Sequence, residues 1–413
     1  MSKHLETHLK NEELYKRITS YTEVDEAKAV GLYPYFRPIE ETHTNEVYIN
    51  GKKYLMLGSN AYLGLTNDPR VIEAAVEATR KFGTGNAGSR FLNGTLKIHE
   101  ELEEKLAKFV NKEAALLTST GYMANLVAIA GLLGPGDAVI TDKLDHASII
   151  DACKQSGAKM YRFAHNNIEH LKRVLEKVEE KAKLVVVDGV FSMEGDIADL
   201  PNIVEVCKKY NAWIMVDDAH GMGVLGGKYG QGTVHHFGLD DEVDIIMSTF
   251  SKSFASIGGF VAGSERLINY LKHKARALIF SASPSPATVG TVSKVIDIIY
   301  EEPYRIERLW QITHKMLKAF KEMGYDTGTS CTPIIPLKIN NFEKTLKFWR
   351  ALSDEGIFVN PVLPPAVPPS ETIIRTSYMA THTDEQLDWA LTIFEKHGKA
   401  LGIVNSHAKV DSV

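Results

Sequence analysis

The chain has 413 residues, 44% of them hydrophobic and 24% charged, and a formal net charge of −5. This suits one large core with a smaller lobe and argues against a nucleic-acid partner. No apolar run reaches the ~18–20 residues of a membrane span and the polar start lacks a signal-peptide core. Cys153, Cys207 and Cys331 show no metal or disulfide spacing, so the expectation is a cytoplasmic chain with no bound metal.

In chain order, Leu5, Leu9, Leu14 and Ile18 keep a loose helical period that predicts an amphipathic arm over residues 1–20. Whether this arm touches a membrane surface is left open. Residues 31–39, rich in proline and aromatics, read as extended. VYINGKKYLML reads as a hairpin with Asn50-Gly51 at its tip. Asn67 or Asp68 caps a helix that Pro69 opens. Helices are then predicted at 69–82, 97–110, 122–133, 147–156, 168–181 and 201–210. Strands alternate with them at 114–118, 138–141, 159–163, 184–190 and 212–216. These strands are continuous Val/Ile/Leu runs, the mark of a mostly parallel sheet covered by helices on both faces. A helix to about 277 and a long helical stretch at 285–323, broken near Pro303, lead to a different pattern. Strands at 334–339, 358–362 and 372–378, with helices at 342–355 and 384–396, make a separate α+β lobe. The expected division is 1–58 for arm and hairpin, 59–300 for the large α/β domain and 301–413 for the C-terminal α+β domain. The tail from about 402 reads as loose.

The chemistry concentrates between residues 213 and 263. One apolar strand ends in Asp217, Asp218, Ala219 and His220, and another ends in Ser251 and Lys252. Two buried strands that deliver ionisable groups at their carboxyl ends describe the rim of an α/β active site. A lysine among small residues, with no adjacent acid, suits an amine of lowered pKa that attacks a carbonyl. A strand-end Asp can keep a ring nitrogen protonated, as the carbanion chemistry of pyridoxal phosphate requires. Thr249 supplies a hydroxyl for a phosphate, and Gly121 and Tyr122 in STGYMAN open a helix N-terminus that can bind an anion. FGTGNAGSR holds a G-x-G-x-x-G spacing, but it follows a helix rather than a strand and fails the dinucleotide context. Arg375 lies inside the apolar strand IIRTSYM, where a guanidinium needs a carboxylate partner.

The phrases GLYPYFRPIE, MLGSNAYLGL, GTGNAGSRFLNGT, DHASIIDA, DGVFSMEGD, VDDAH, TFSKS and IRTSYMATHT carry a resemblance to the α-oxoamine synthases. It covers residues from about 31 to about 391, and the chain is most similar to the soluble, serine-palmitoylating bacterial branch. The resemblance implies a fold-type I pyridoxal-phosphate transferase, a homodimer with shared active sites. The implied reaction is a decarboxylating condensation of L-serine with palmitoyl-CoA, giving 3-ketodihydrosphingosine, CoA and CO2. Alternatives are the branches that make 8-amino-7-oxononanoate or acetylate glycine, and a non-catalytic scaffold, which the presence of Lys252 disfavours. By resemblance, Lys252 carries the cofactor and Asp217 faces its ring nitrogen. His146 stacks on the ring, His220 bonds its phenolic oxygen, and Ser192 is a further contact. Ser281 and Ser283 reach the phosphate in the partner subunit's site. Arg375 binds the amino-acid carboxylate, with Asn60 and Tyr62 in the same pocket. Asn86, Ala61 and Pro284-Ser285 depart from that branch's pattern, which bears on specificity and leaves the cofactor set intact.

Overall fold

The computed structural model describes residues 12–364 and 366–405. Leu5 and Leu9 of the expected arm, Pro365 and the tail beyond 405 lie outside the described residues. Within the arm, a helix spans Glu12–Thr19 and buries none of its residues.

A seven-stranded sheet runs in the order Ala114–Thr118, Gly259–Gly263, Ile245–Thr249, Trp213–Asp217, Lys183–Asp188, Ala138–Asp142, Lys159–Phe163. Gly259–Gly263 is antiparallel to both neighbours, and every other pairing is parallel. Beyond their first residues, Trp213 and Lys183, the middle strands are buried because their Val, Ile, Leu and Met side chains feed two helix-covered cores. Their carboxyl ends change character abruptly. Thr249, Asp217, Asp188 and Asp142 close four adjacent parallel strands on one edge of the sheet. The order reverses between Lys183–Asp188 and Ala138–Asp142, the switch point where open α/β sheets leave a crevice.

The tip of the predicted hairpin has Asn50 at φ 51° and Gly51 at φ 68°, the positive pair that a two-residue turn of matching twist requires. Of the two candidate caps, Asp68 accepts from the Arg70 amide. The break at Pro303 separates helices Pro286–Glu301 and Tyr304–Glu322. A third core joins the hairpin to the C-terminal lobe, with Leu55, Leu57 and Tyr62 packed among Phe320, Phe348, Ile374 and Phe394.

Three elements differ from expectation. The helix predicted over 168–181 stops at Leu175, because the chain tightens through i→i+3 bonds that seat Val178 in the core. The strand predicted over 358–362 divides between two sheets. Ile357–Phe358 joins the N-terminal hairpin, whereas Asn360–Val362 pairs with Ile373–Ser377. The helix after Gly121 passes through a π-helical stretch at Leu126–Ala130, an irregularity common beside functional sites.

Candidate active site

Three of these strand ends, Thr249, Asp217 and Asp188, meet in a cavity of ≈ 320 Å³ that is also lined by Gly121, Tyr122, His146, Ser192, His220 and Lys252. Residues expected from separate motifs, spread over more than a hundred positions, therefore converge.

Lys252 follows Thr249 in a turn closed by Gly258, whose φ of +125° and near contact with Phe250 admit no side chain. Among the described residues nothing pairs with or hydrogen-bonds to its Nζ. Burial lowers its pKa to about 8, against the opposing pull of Asp217 and Asp188. Asp217 is fixed from two sides. Asn125 Nδ2 donates to its Oδ2 at 2.8 Å and the Ala219 amide to its Oδ1 at 3.1 Å. Asn125 Nδ2 also reaches Ser148 Oγ at 2.8 Å, and Ser148 Oγ lies 2.7 Å from His146 Nδ1. His146 caps the Ala147–Ser156 helix and stands exposed at the rim.

His220 Nδ1 lies 2.7 Å from the Tyr62 hydroxyl. Burial first, then Lys252 and Arg375, hold the imidazole well below its ordinary pKa, so it is neutral. Burial pushes the Tyr62 phenol up to about 12, with Arg375 pulling the other way. Arg375 donates from Nε to the Ser192 carbonyl at 2.7 Å and from Nη2 to Asn60 Oδ1 at 3.0 Å. The carboxylate partner expected for a buried strand arginine is missing among the described residues; Arg375 is 6% exposed and held by neutral acceptors. Asn60, Tyr62 and Arg375 stand behind the cavity wall and connect to it through His220 and Ser192.

The cradle at the other end is made of backbone. Thr120 accepts from the Met123 amide and so starts the helix, leaving the Gly121 and Tyr122 amides on the cavity wall without an intrahelical acceptor. A Cβ on Gly121 would sit 2.6 Å from Thr249 Cβ, so only glycine lets this loop close on the lysine turn. Tyr122 is 45% exposed and donates to Asp151 at 2.6 Å. Ser281 and Ser283 do not line this cavity. They sit on a strap where Asn86 donates to Ser283 Oγ at 2.8 Å and Ser119 to the Ala282 carbonyl at 2.5 Å.

Asn125 and Asp188 also line the cavity and were not singled out in the sequence. Asn125 lies one helical turn beyond Gly121, a spacing that could have flagged it. Asp188 ends the run LVVVD just as Asp217 ends WIMVD, and one of its oxygens is buried without a partner. Burial, with Asp217 and Asp145 nearby, raises its pKa well above the usual carboxylate range.

The family model described as aminotransferase class I and II matches residues 52–394. The chain belongs to that family. Within it, a serine palmitoyltransferase of Sphingobacterium spiritivorum is 52% identical over 379 residues, covering 92% of this chain and 95% of the relative. An 8-amino-7-oxononanoate synthase of Thermosipho melanesiensis is 44% identical, covering 92% and 98%. A solved serine palmitoyltransferase carrying PLP as an internal aldimine superposes with a TM-score of 0.92 at 38% identity, covering 95% of this chain and all of that one. The aminotransferase-family architecture is thus the fold-type I arrangement expected from the motifs, and the resemblance to the serine-palmitoylating branch stands. No helix among the described residues is long and apolar enough to cross a membrane.

Proposed function

We propose that this chain is a pyridoxal-phosphate-dependent acyltransferase that condenses L-serine with palmitoyl-CoA, releasing CoA and CO2 and forming 3-ketodihydrosphingosine. One observation carries the amino-acid half of the reading. Among the described residues, a buried guanidinium with no carboxylate of its own stands one hydrogen-bonded step from a cavity that holds an unpaired lysine. The named relatives supply the acyl half.

The residues present fit the cofactor. An aldehyde needs the free amine of Lys252, and a pyridine nitrogen needs an oriented carboxylate, which Asp217 offers. A phosphate needs the Gly121 and Tyr122 amides and the Thr249 hydroxyl, held together by the close approach at Gly121. When bound, the cofactor supplies an aldehyde that joins amines and a ring that accepts negative charge from an amino-acid α-carbon.

The chain's own residues do the rest. Arg375 grips the serine carboxylate and sets the bond that will break. Lys252, neutral once pH exceeds about 8, takes the α-proton and later returns one. Tyr62 keeps its proton and donates to His220 Nδ1. That places the imidazole proton on Nε2, free to bond the phenolic oxygen. His146, at the rim, covers the ring. In a homodimer, Ser281 and Ser283 would complete the phosphate site of the other subunit.

Arg375→Lys should raise the serine KM about 10–100-fold, the cost of a charge-assisted fork replaced by a point charge, with little change for palmitoyl-CoA. Steady-state kinetics in each substrate check this. The reaction itself is tested by thiol release from a panel of acyl-CoAs with L-serine, glycine and L-alanine. The reading requires the highest kcat/KM for L-serine with palmitoyl-CoA. Preference for alanine with a pimeloyl thioester would instead favour the 8-amino-7-oxononanoate branch, to which 44% identity also points.

A further inference from the structure

His165 is a half-buried histidine that the reaction above leaves unused. Its Nδ1 lies 3.1 Å from Asp142 Oδ1 and its Nε2 lies 3.0 Å from Asp196 Oδ2. A neutral imidazole has one N–H and would turn a lone pair toward one of these carboxylates, so the geometry demands the doubly protonated ring. Burial by itself would lower its pKa, but hydrogen bonds to Asp142 and Asp196 lift it to about 10. The ring also meets Phe191 edge-on, with centroids 4.4 Å apart.

What this imidazolium holds is the loop between Phe191 and Asp196. The loop closes on itself through Phe191 N to Asp196 O at 3.0 Å and Gly195 N to Phe191 O at 2.9 Å. His165 therefore pins both of its ends, one by charge and one by the Phe191 ring. On its other side the C-terminal lobe takes hold: Thr329 donates to Asp196 Oδ2 at 3.0 Å and Thr332 to the Gly195 carbonyl at 2.8 Å. Inside the closed loop sits Ser192, whose carbonyl accepts from Arg375 Nε at 2.7 Å. The aim of Arg375 thus depends on where this loop is clamped.

We infer that His165 is a positioning residue for recognition of the amino-acid carboxylate: as an imidazolium between Asp142 and Asp196, it fixes the Ser192 carbonyl that aims Arg375. This rests on the reading of Arg375 as the carboxylate ligand. His165 touches neither substrate, so its loss should act on one substrate only.

The test uses the pyridoxal-phosphate holoenzyme. L-serine is titrated into it and binding is read from the change in the cofactor's visible band, for wild type, His165→Gln, Asp196→Asn, Arg375→Lys and the His165→Gln/Arg375→Lys double variant. His165→Gln should weaken L-serine about tenfold, the equivalent of one lost charge-assisted bond, while the palmitoyl-CoA KM stays at the wild-type value. Asp196→Asn keeps the shape and the Thr329 bond, and should weaken L-serine in the same direction. The double variant should be no weaker than Arg375→Lys alone, since both changes act through one group. Wild-type serine affinity in His165→Gln and Asp196→Asn, equal losses for both substrates, or additive effects in the double variant would overturn the inference. Wild-type serine affinity in Arg375→Lys would overturn the underlying reading of Arg375 instead, and with it the route by which His165 acts.

Discussion

Lys252→Ala should lower turnover by about 10⁴-fold or more, because in the proposed reaction a single side chain supplies both the covalent anchor and the proton carrier. The variant should still bind pyridoxal phosphate through the proposed contacts of Gly121, Thr249 and Asp217, but should fail to develop the visible band that follows joining of the aldehyde to a lysine. Absorbance spectra and thiol release check both halves. The wild-type chain adds a pH signature. A lysine held near 8 by burial is neutral above that value and protonated below it. The rate at which the apo-protein joins the cofactor should therefore rise with pH and level off near 8, whereas an ordinary lysine would keep accelerating toward about 10.4.

Asp217→Asn gives the second large loss. The substitution keeps the shape of the side chain but removes the charge proposed to keep a ring nitrogen protonated. It also turns an acceptor pair into one acceptor and one donor, facing the Asn125 amide and the Ala219 N–H. Loss of one preorganised electrostatic contact at the reacting system costs about 10²–10³ in kcat. The fall should appear in kcat, while pyridoxal phosphate and the lysine band remain. A decline confined to cofactor affinity would mean that Asp217 merely anchors the ring. Asp188, paired in register with Asp217 on the neighbouring strand, is the carboxyl placed to interfere. Burial, then Asp217 and Asp145, push its pKa well above the usual carboxylate range.

Those two residues were legible in the sequence because each stands where an apolar run stops. A buried parallel strand cannot end in an acid or a lysine without a reason, so the abruptness of WIMVDD and of IIMSTFSK was itself the signal. Asp188 sent the same signal in LVVVD and passed unnoticed, since no second ionisable residue follows it at short spacing. Asn125 was harder to see. It is a polar residue within an otherwise apolar helix, and its purpose depends on which strand end the helix crosses, which is a tertiary fact. Arg375 drew attention by its place in an apolar strand, and the resemblance put Asn60 in its pocket, but its bond to the Ser192 carbonyl did not follow from the sequence. Its partners come from residues 60 and 192, far apart in the chain. The helix end at Leu175 and the divided strand at 357–362 were set by what neighbouring elements demanded. Val178 was wanted in the core, and one segment met two different sheets. Local propensity contains neither demand.

The proposed chemistry begins at the amine that holds the cofactor. Borohydride reduction of the holoenzyme fixes the phosphopyridoxyl group to that amine, and proteolysis followed by mass spectrometry locates it. The expected result is one modified residue per chain, Lys252, with the modification lost in Lys252→Ala. A phosphopyridoxyl group on any other lysine, or none on a protein that still releases CoA, would contradict the account.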